Sequence, residues 1–270
     1  LVTHAFFKAL LFMGAGSVIH SIEHGYHRMH GHAVPISEQD HFSPNDIFQM
    51  GGLGLRMPVT TLTFLAGSLS LSGFPLVTSG FWSKDEILNS AWSTDQVVFW
   101  VLAVSAGLTA FYVSRQLCLV FLGKPRSRAA VYARENRAVM VVPMVMLALF
   151  AIGLGWIGVP HDFPLVGRIW AGGLHSFLSS TEMGERFVGH YGAVGFSWPS
   201  LLISVAFALT GLLAGWAVYG HPPLIREDED PLHATSRRLR LGRVYRLIRD
   251  QFWVDGLYHR LWVIPSLSLA

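Results

Sequence analysis

The sequence predicts an all-α fold, a polytopic transmembrane helix bundle of about six spans. Three observations carry this. The chain is 51% hydrophobic and only 14% charged, where a soluble domain typically carries about 25% charged residues, and its mean hydropathy is +0.42. Windows of about 20 apolar residues, enough helix to cross about 30 Å of hydrocarbon, recur along it. No alternating barrel pattern appears, and in lipid only helices or closed barrels satisfy their own backbone.

The windows fall at residues 1–22, 97–122, 138–159 and 198–219. Residues 58–94 are harder to place, because 37 residues of helix would reach about 55 Å, too long for one crossing. Either one span is followed by an interfacial segment, or two short spans meet near Gly73-Phe74-Pro75. Loop charges decide between them. The segment 123–137 holds Lys124, Arg126, Arg128, Arg134 and Arg137, and 226–249 holds seven arginines from Arg226 to Arg249, so the positive-inside rule turns both to the cytoplasm. The loops 23–57 and 160–197 are poor in Lys and Arg and are expected outside. Two outside ends require an even number of crossings between them, so 58–94 is expected to form two short spans with Lys84 inside the second.

The last section changes character. Leu241, Val244, Ile248 and Phe252 recur at helical spacing with Arg on the opposite face, and Trp253, Tyr258 and Trp262 supply amphipathic rings. This is the pattern of a helix lying in the membrane interface, too polar to cross. The expected organisation is a transmembrane bundle over 1–220, followed by a cytoplasmic-side loop and an interfacial helix over 221–270. Residue 1 already lies inside an apolar segment with no initiator Met, so the chain reads as a piece of a longer polytopic protein.

Composition also narrows the chemistry. One cysteine, Cys118, excludes a disulfide framework, a CxxC motif and a cysteine-ligated iron–sulfur cluster within this segment. The net charge of +3 and pI near 9.2 do not indicate nucleic acid, because the arginines flank apolar runs and follow membrane topology.

The candidate functional residues are ionisable groups at membrane depth. In LVTHAFFKALLF, His4 and Lys8 stand one helical turn apart on a shared face, with side chains roughly 6 Å from each other. A proton on His4 would repel the Lys8 ammonium by about 3 kcal/mol at an effective dielectric of about 20, which eases proton release. Lys8 lies about 21 Å of helix from the end of its window, too deep for easy snorkelling. A proton relay fits the pair; the plainer reading has His4 bonded to a neighbouring helix and Lys8 snorkelling. In GFWSKDEIL, Ser83 and Glu86 match a capping box that would simply start a helix at the membrane surface. The alternative places Lys84 in a polar gap of a broken helix, with Asp85 as proton acceptor or counter-charge.

Other features are weaker. Histidines 20, 24, 27, 30, 32 and 41 lack partnering Cys or matched carboxylates and read as a hydrated outer loop before a metal site. GLGWIG at 153–158 matches a dinucleotide fingerprint without a preceding strand. Gly211 and Gly215 read as helix packing of the small-xxx-small kind. Arg115, near a helix end, reads as snorkelling.

THAFFKALLFMGAGSVIH at 3–20, MGGL and MP within 50–58, SGFWSKDEIL at 79–88 and LTAFYVSRQLCLVFLG at 108–123, in that order, resemble subunit L, or 5, of the proton-translocating NADH:quinone oxidoreductases of respiratory complex I. The tail FWVDGLYHRLWVIPSL is similar to the approach to that family's lateral helix. The resemblance implies an antiporter-like membrane-arm fold with broken helices in inverted repeats, of which this chain holds the second half. It further implies that Lys8 is the central lysine between half-channels, His4 the histidine beside it, Lys84 the lysine of the second broken helix and Asp85 the acid on its exit side. The family's first half, with its own Lys–Glu pair, is not in the sequence, and the loop at 23–49 departs from the usual short connection.

On this resemblance the chain is expected to move protons through Lys8, His4, Lys84 and Asp85, with no cofactor of its own. FMN, iron–sulfur clusters and quinone are expected in partner subunits. Other membrane-arm subunits, contacted partly through the lateral helix, and the lipid bilayer are the expected partners, and nucleic acid is not. The expected location is a bacterial cytoplasmic membrane, with inner mitochondrial and thylakoid membranes as alternatives. Two competing readings remain: the large subunit of a multisubunit sodium/proton antiporter, and a structural scaffold whose charges serve assembly.

Overall fold

The structure, a computed structural model, describes residues 2–30, 42–158, 197–220, 230–232, 238, 242–249 and 251–269. Two compact units divide the chain, Leu1–Pro223 and Leu224–Ala270. The described residues are helical or irregular, with no strand among them.

The first unit contains α1 (Val2–His30), α2 (Pro58–Ser72), α3 (Ser79–Thr94), α4 (Gln96–Phe121), the short α5 (Arg128–Tyr132), α6 (Ala138–Gly153) with a 3₁₀ turn at Leu154–Gly158, and α7 (Trp198–Tyr219). Within it, Val2–Met29, Gln96–Phe121, Ala138–Trp156 and Trp198–Tyr219 are long and apolar enough to cross a membrane. Their outward faces keep residues such as Phe12, Val139, Leu149 and Leu213 exposed, which lipid tolerates and water would not. The chain is an integral, multi-pass membrane protein.

Pairings along the helices fix their directions. Ser17 meets Thr60 and Leu10 meets Gly67, so α1 and α2 are antiparallel. Phe207 and Gly211 of α7 pack on Gly107 of α4, and Gly215 packs on Ser114, so α4 and α7 run parallel. Gly211 and Gly215 permit this approach: a methyl at Gly211 would run into the Gly107 carbonyl and one at Gly215 into Ser114, as small-xxx-small packing requires.

These directions correct the expected topology. The segment 42–57 packs on the chain that follows α4: Arg126 donates to the carbonyls of Phe48 at 2.9 Å and Ile47 at 2.8 Å and also to Leu119, and its amide donates to Met50 at 3.0 Å. Arg28 reaches the Tyr132 carbonyl. The loop after α1 therefore lies on the same side as the basic segment 123–137, not opposite it. An even number of crossings separates them; α4 is one, so α2 and α3 together make the other, a single broken crossing. The described residues account for five crossings, one broken, instead of about six. The charge count misled because Arg28 and Arg56 already bond to α5 carbonyls across the loop interface, and two cations are too few to orient a loop.

Two further expectations change. The histidine-bearing stretch from His20 to His30 continues α1 and is not loop. Gly25 sits against the Ala129 carbonyl and Tyr26 is buried, so packing against α5 prolongs the helix past its apolar window. His32 and His41 lie outside the described residues, as does the loop 160–197 except for Ser197. Arg115 does not snorkel; its guanidinium carbon stands 5.6 Å from the Phe48 ring centroid and 5.2 Å from that of Tyr219, cation–π contacts that tie the 42–57 segment and α7 to α4. Arg126 is partly buried, and loss of solvent lowers its pKa, with Asp46 opposing.

In the second unit a helix spans Gly242–Arg249, with Val244 and Ile248 exposed on one face. Phe252 and Trp253 take left-handed backbone angles, φ 55° and 56°, and stop it. Helical structure resumes at Val254–Tyr258 and runs through a π turn, His259–Val263, into Ile264–Leu269. Phe252 thus does not continue the Val244–Ile248 stripe as expected, and Leu241 lies outside the described residues.

Candidate functional site: a lysine at the break of a helix

The α2 helix ends where the sequence supplies a glycine able to turn left-handed. Gly73 has φ +74°, its amide donates to Ser70 at 3.1 Å and the Phe74 amide to Leu69 at 2.9 Å, the reciprocal pattern of a Schellman cap. Pro75 prevents resumption. The last carbonyls of any helix lack intrahelical donors. Here the Lys84 ammonium donates to the Leu71 carbonyl, a cation placed on the negative end of the α2 dipole. Gly73 also gives the lysine its path, since a Cβ there would lie 3.3 Å from Lys84 Cδ.

The α3 helix starts at Ser79, one turn earlier than a cap at Ser83 requires. Ser83 donates back to the Ser79 and Gly80 carbonyls and caps nothing, which removes the capping-box reading. The Gly80 amide, in the first turn of α3, is instead met from α2. Ser70 Oγ accepts from the Gly80 amide at 3.0 Å, stands 3.2 Å from Ser79 Oγ and donates to the Ala151 carbonyl of α6 at 3.2 Å. Gly80 fits only because it has no Cβ, which would overlap the Ser70 carbonyl. One hydroxyl thus holds the broken ends of α2 and α3 against α6.

Asp85, next to Lys84, is 6% exposed, and its Oδ1 has no hydrogen-bond partner among the described residues. Ser204 of α7 stands against its carboxyl. Ser72, Gly73, Lys84, Asp85, Ala106 and Ser204 line a cavity of about 10 Å³, the lower limit for one water. With α2 rising 1.5 Å per residue, the site lies about 20 Å from the basic side of a core about 30 Å thick. From Lys84 onward α3 runs to the far side, where Asp95 turns the chain into α4 by capping the Val97 amide at 2.8 Å.

His4 and Lys8 lie at the same depth on α1, beside the level where Phe7 and Leu10 pack with Leu71. Lys8 is half-buried and sits half a turn round α1 from Ser17, away from α2. His4 is exposed, stacks edge-on to Phe7 at 4.9 Å, and lies within electrostatic reach of both Lys8 and Lys84. The four predicted residues therefore gather at one level. Among the described residues no cluster of three or more His, Cys, Asp or Glu has metal-binding geometry; His20 and His24 pack ring to ring at 4.4 Å.

Sequence reasoning missed a second polar centre. Glu135, between α5 and α6, accepts from the amides of Val59 at 2.8 Å and Thr60 at 3.2 Å and from the Thr60 hydroxyl at 2.6 Å. Thr60 lies 3.2 Å from Ser17, which also receives the Asn136 side chain at 2.7 Å. The Met57-Pro58 start of α2 gave the only hint, since no Ser, Thr, Asp or Asn precedes Pro58 to cap it.

Residues 1–109 match the family model of the transmembrane domain of NADH:quinone oxidoreductases and Mrp antiporters. Over its whole length the chain is 32% identical to NAD(P)H-quinone oxidoreductase subunit 5 of the Chlorokybus atmophyticus chloroplast, 31% to chain 5 of Picosynechococcus sp. and 32% to NADH-quinone oxidoreductase subunit L of Rickettsia felis. It spans 37%, 39% and 38% of their respective lengths. A broken helix carrying Lys84, a second lysine at equal depth on α1 and these matches along the full chain agree: the protein belongs to the NADH:quinone oxidoreductase/Mrp antiporter family of membrane proteins.

Proposed function

We propose that this chain is the proton-moving part of a membrane subunit of an NADH:quinone oxidoreductase, in which Lys8, His4, Lys84 and Asp85 carry protons toward the side opposite the basic loops. The observation that carries the reading is Lys84, held at membrane depth on the free carbonyl end of α2 beside the buried Asp85. A charge at that depth costs several kcal/mol unless paired, and here the carbonyl end of the α2 helix offsets part of that cost. A group balanced in this way changes charge when a neighbouring charge changes. Protonated Lys8 and His4 oppose a proton on Lys84, so a proton arriving at α1 drives one off Lys84 toward Asp85, and α3 gives the exit direction.

The driving charge movement would come from redox chemistry in partner subunits, which would hold FMN, iron–sulfur clusters and quinone; other membrane-arm subunits would flank the bundle. All full-length matches cited above bear oxidoreductase names, which favours this reading over a sodium/proton antiporter. The test is Lys8→Met in the whole complex: proton translocation is expected to fall about tenfold or more while the complex assembles. Unimpaired translocation in an assembled Lys8→Met complex overturns the reading.

A further inference from the structure

The cavity beside Asp85 is lined from three directions by groups whose hydrogen-bonding roles can be counted. Ser72 Oγ donates its proton to the Ser68 and Leu69 carbonyls, at 2.9 and 3.1 Å. Ser204 Oγ donates to the Leu201 carbonyl at 2.9 Å. Ser72 Oγ thus presents lone pairs to the cavity, and so does Ser204 Oγ, whose hydroxyl also lies in hydrogen-bond contact with the Asp85 carboxyl. Lys84 has three donors, one directed to Leu71. Asp85 Oδ1 is buried without a partner, and such an orphan costs about 1–3 kcal/mol unless something meets it. The remaining wall is apolar, formed by Gly73, Phe81, Leu88, Ala106 and Ala208.

We infer that this cavity binds a single water joining Lys84 to Asp85, and that Ser204 of α7 is a positioning residue that orients it. The water accepts from Lys84 and donates to Asp85 Oδ1 and to a serine lone pair, which meets the two to four polar partners a buried water needs. In transfer, the ammonium N–H bond breaks as a proton passes to the water, and a water O–H bond breaks as one passes to the carboxylate. The products are a neutral amine, an intact water and a carboxylic acid, with total charge unchanged. The inference rests on the function proposed above and extends it to α7, which holds none of the four relay residues.

The experiment uses the assembled complex in membrane vesicles, with Ala208→Val to fill the cavity without touching a polar group, Ser204→Ala to remove a lone pair and Ser204→Thr to restore it. A cavity-filling or lone-pair-removing change is expected to slow proton translocation about tenfold and to shift its pH profile; Ser204→Thr should recover most of both, which a purely structural role would not show. A high-resolution structure should place one ordered water about 3 Å from Lys84 Nζ and Asp85 Oδ1. Wild-type rates and pH profiles in Ala208→Val and Ser204→Ala, or a direct Lys84–Asp85 contact with no water between, overturn the inference. Lys84→Met run alongside separates the two claims: if it abolishes translocation while the cavity variants behave as wild type, only the water site falls, and if it pumps normally, the proposed function falls.

Discussion

At the scale of residues, the site depends on side chains being absent as much as present. Gly73 lets Lys84 pass, and Gly80 lets α3 start against the Ser70 carbonyl. Gly80→Ala should destabilise the protein by about 1–3 kcal/mol, the usual cost of forcing a methyl into a packed interior; thermal unfolding of the purified complex measures it, and an unchanged midpoint would contradict the close approach. Lys84 and Asp85 were legible in the sequence because charges inside an apolar stretch are rare and conspicuous. Ser204 was not, since a serine in LLISVAFALTG looks like any membrane-helix serine until the fold sets it against Asp85. Lys8 and His4 were legible as a pair, but only the fold shows that His4 lies within reach of Lys84.

At the scale of elements, the rule that helix ends need partners explains more than apolar periodicity does. The first turn of α2 follows Met57 and has no local cap, and a carboxylate 75 residues away in sequence supplies one through Thr60. Glu135→Ala should cost about 0.5–2 kcal/mol by analogy with lost N-caps, and Glu135→Gln less; denaturant unfolding in detergent that ranks Gln with Ala would contradict this account of the cap. The four long windows were readable to within a few residues where lipid alone sets the helix, as in α4 and α7. They failed where protein packing takes over, as in the last turns of α1 against α5. The α2–α3 break was readable from Gly73 and Pro75, but whether it made one crossing or two was not, because that depends on which loops touch.

At the scale of the whole molecule, the contacts of Arg126, Arg28 and Gly25 place the segment after α1 and the segment after α4 on one face of the bundle. With Cys118 replaced by serine, single cysteines at the exposed positions 55 and 124 should react with an impermeant thiol reagent from the same side of sealed vesicles, and one at position 96 from the other. Labelling of 55 and 124 from opposite sides would restore the two-span reading of 58–94. The family was recognisable from motif order alone, because the motifs mark the lysines and the helix break that the fold then gathers at one depth. What those lysines do is tested most directly by NADH-driven proton uptake in vesicles carrying the whole complex with Lys84→Met, measured together with quinone reduction. The account predicts an assembled complex whose protons moved per NADH fall clearly below wild type; an unchanged proton yield in that variant would contradict it.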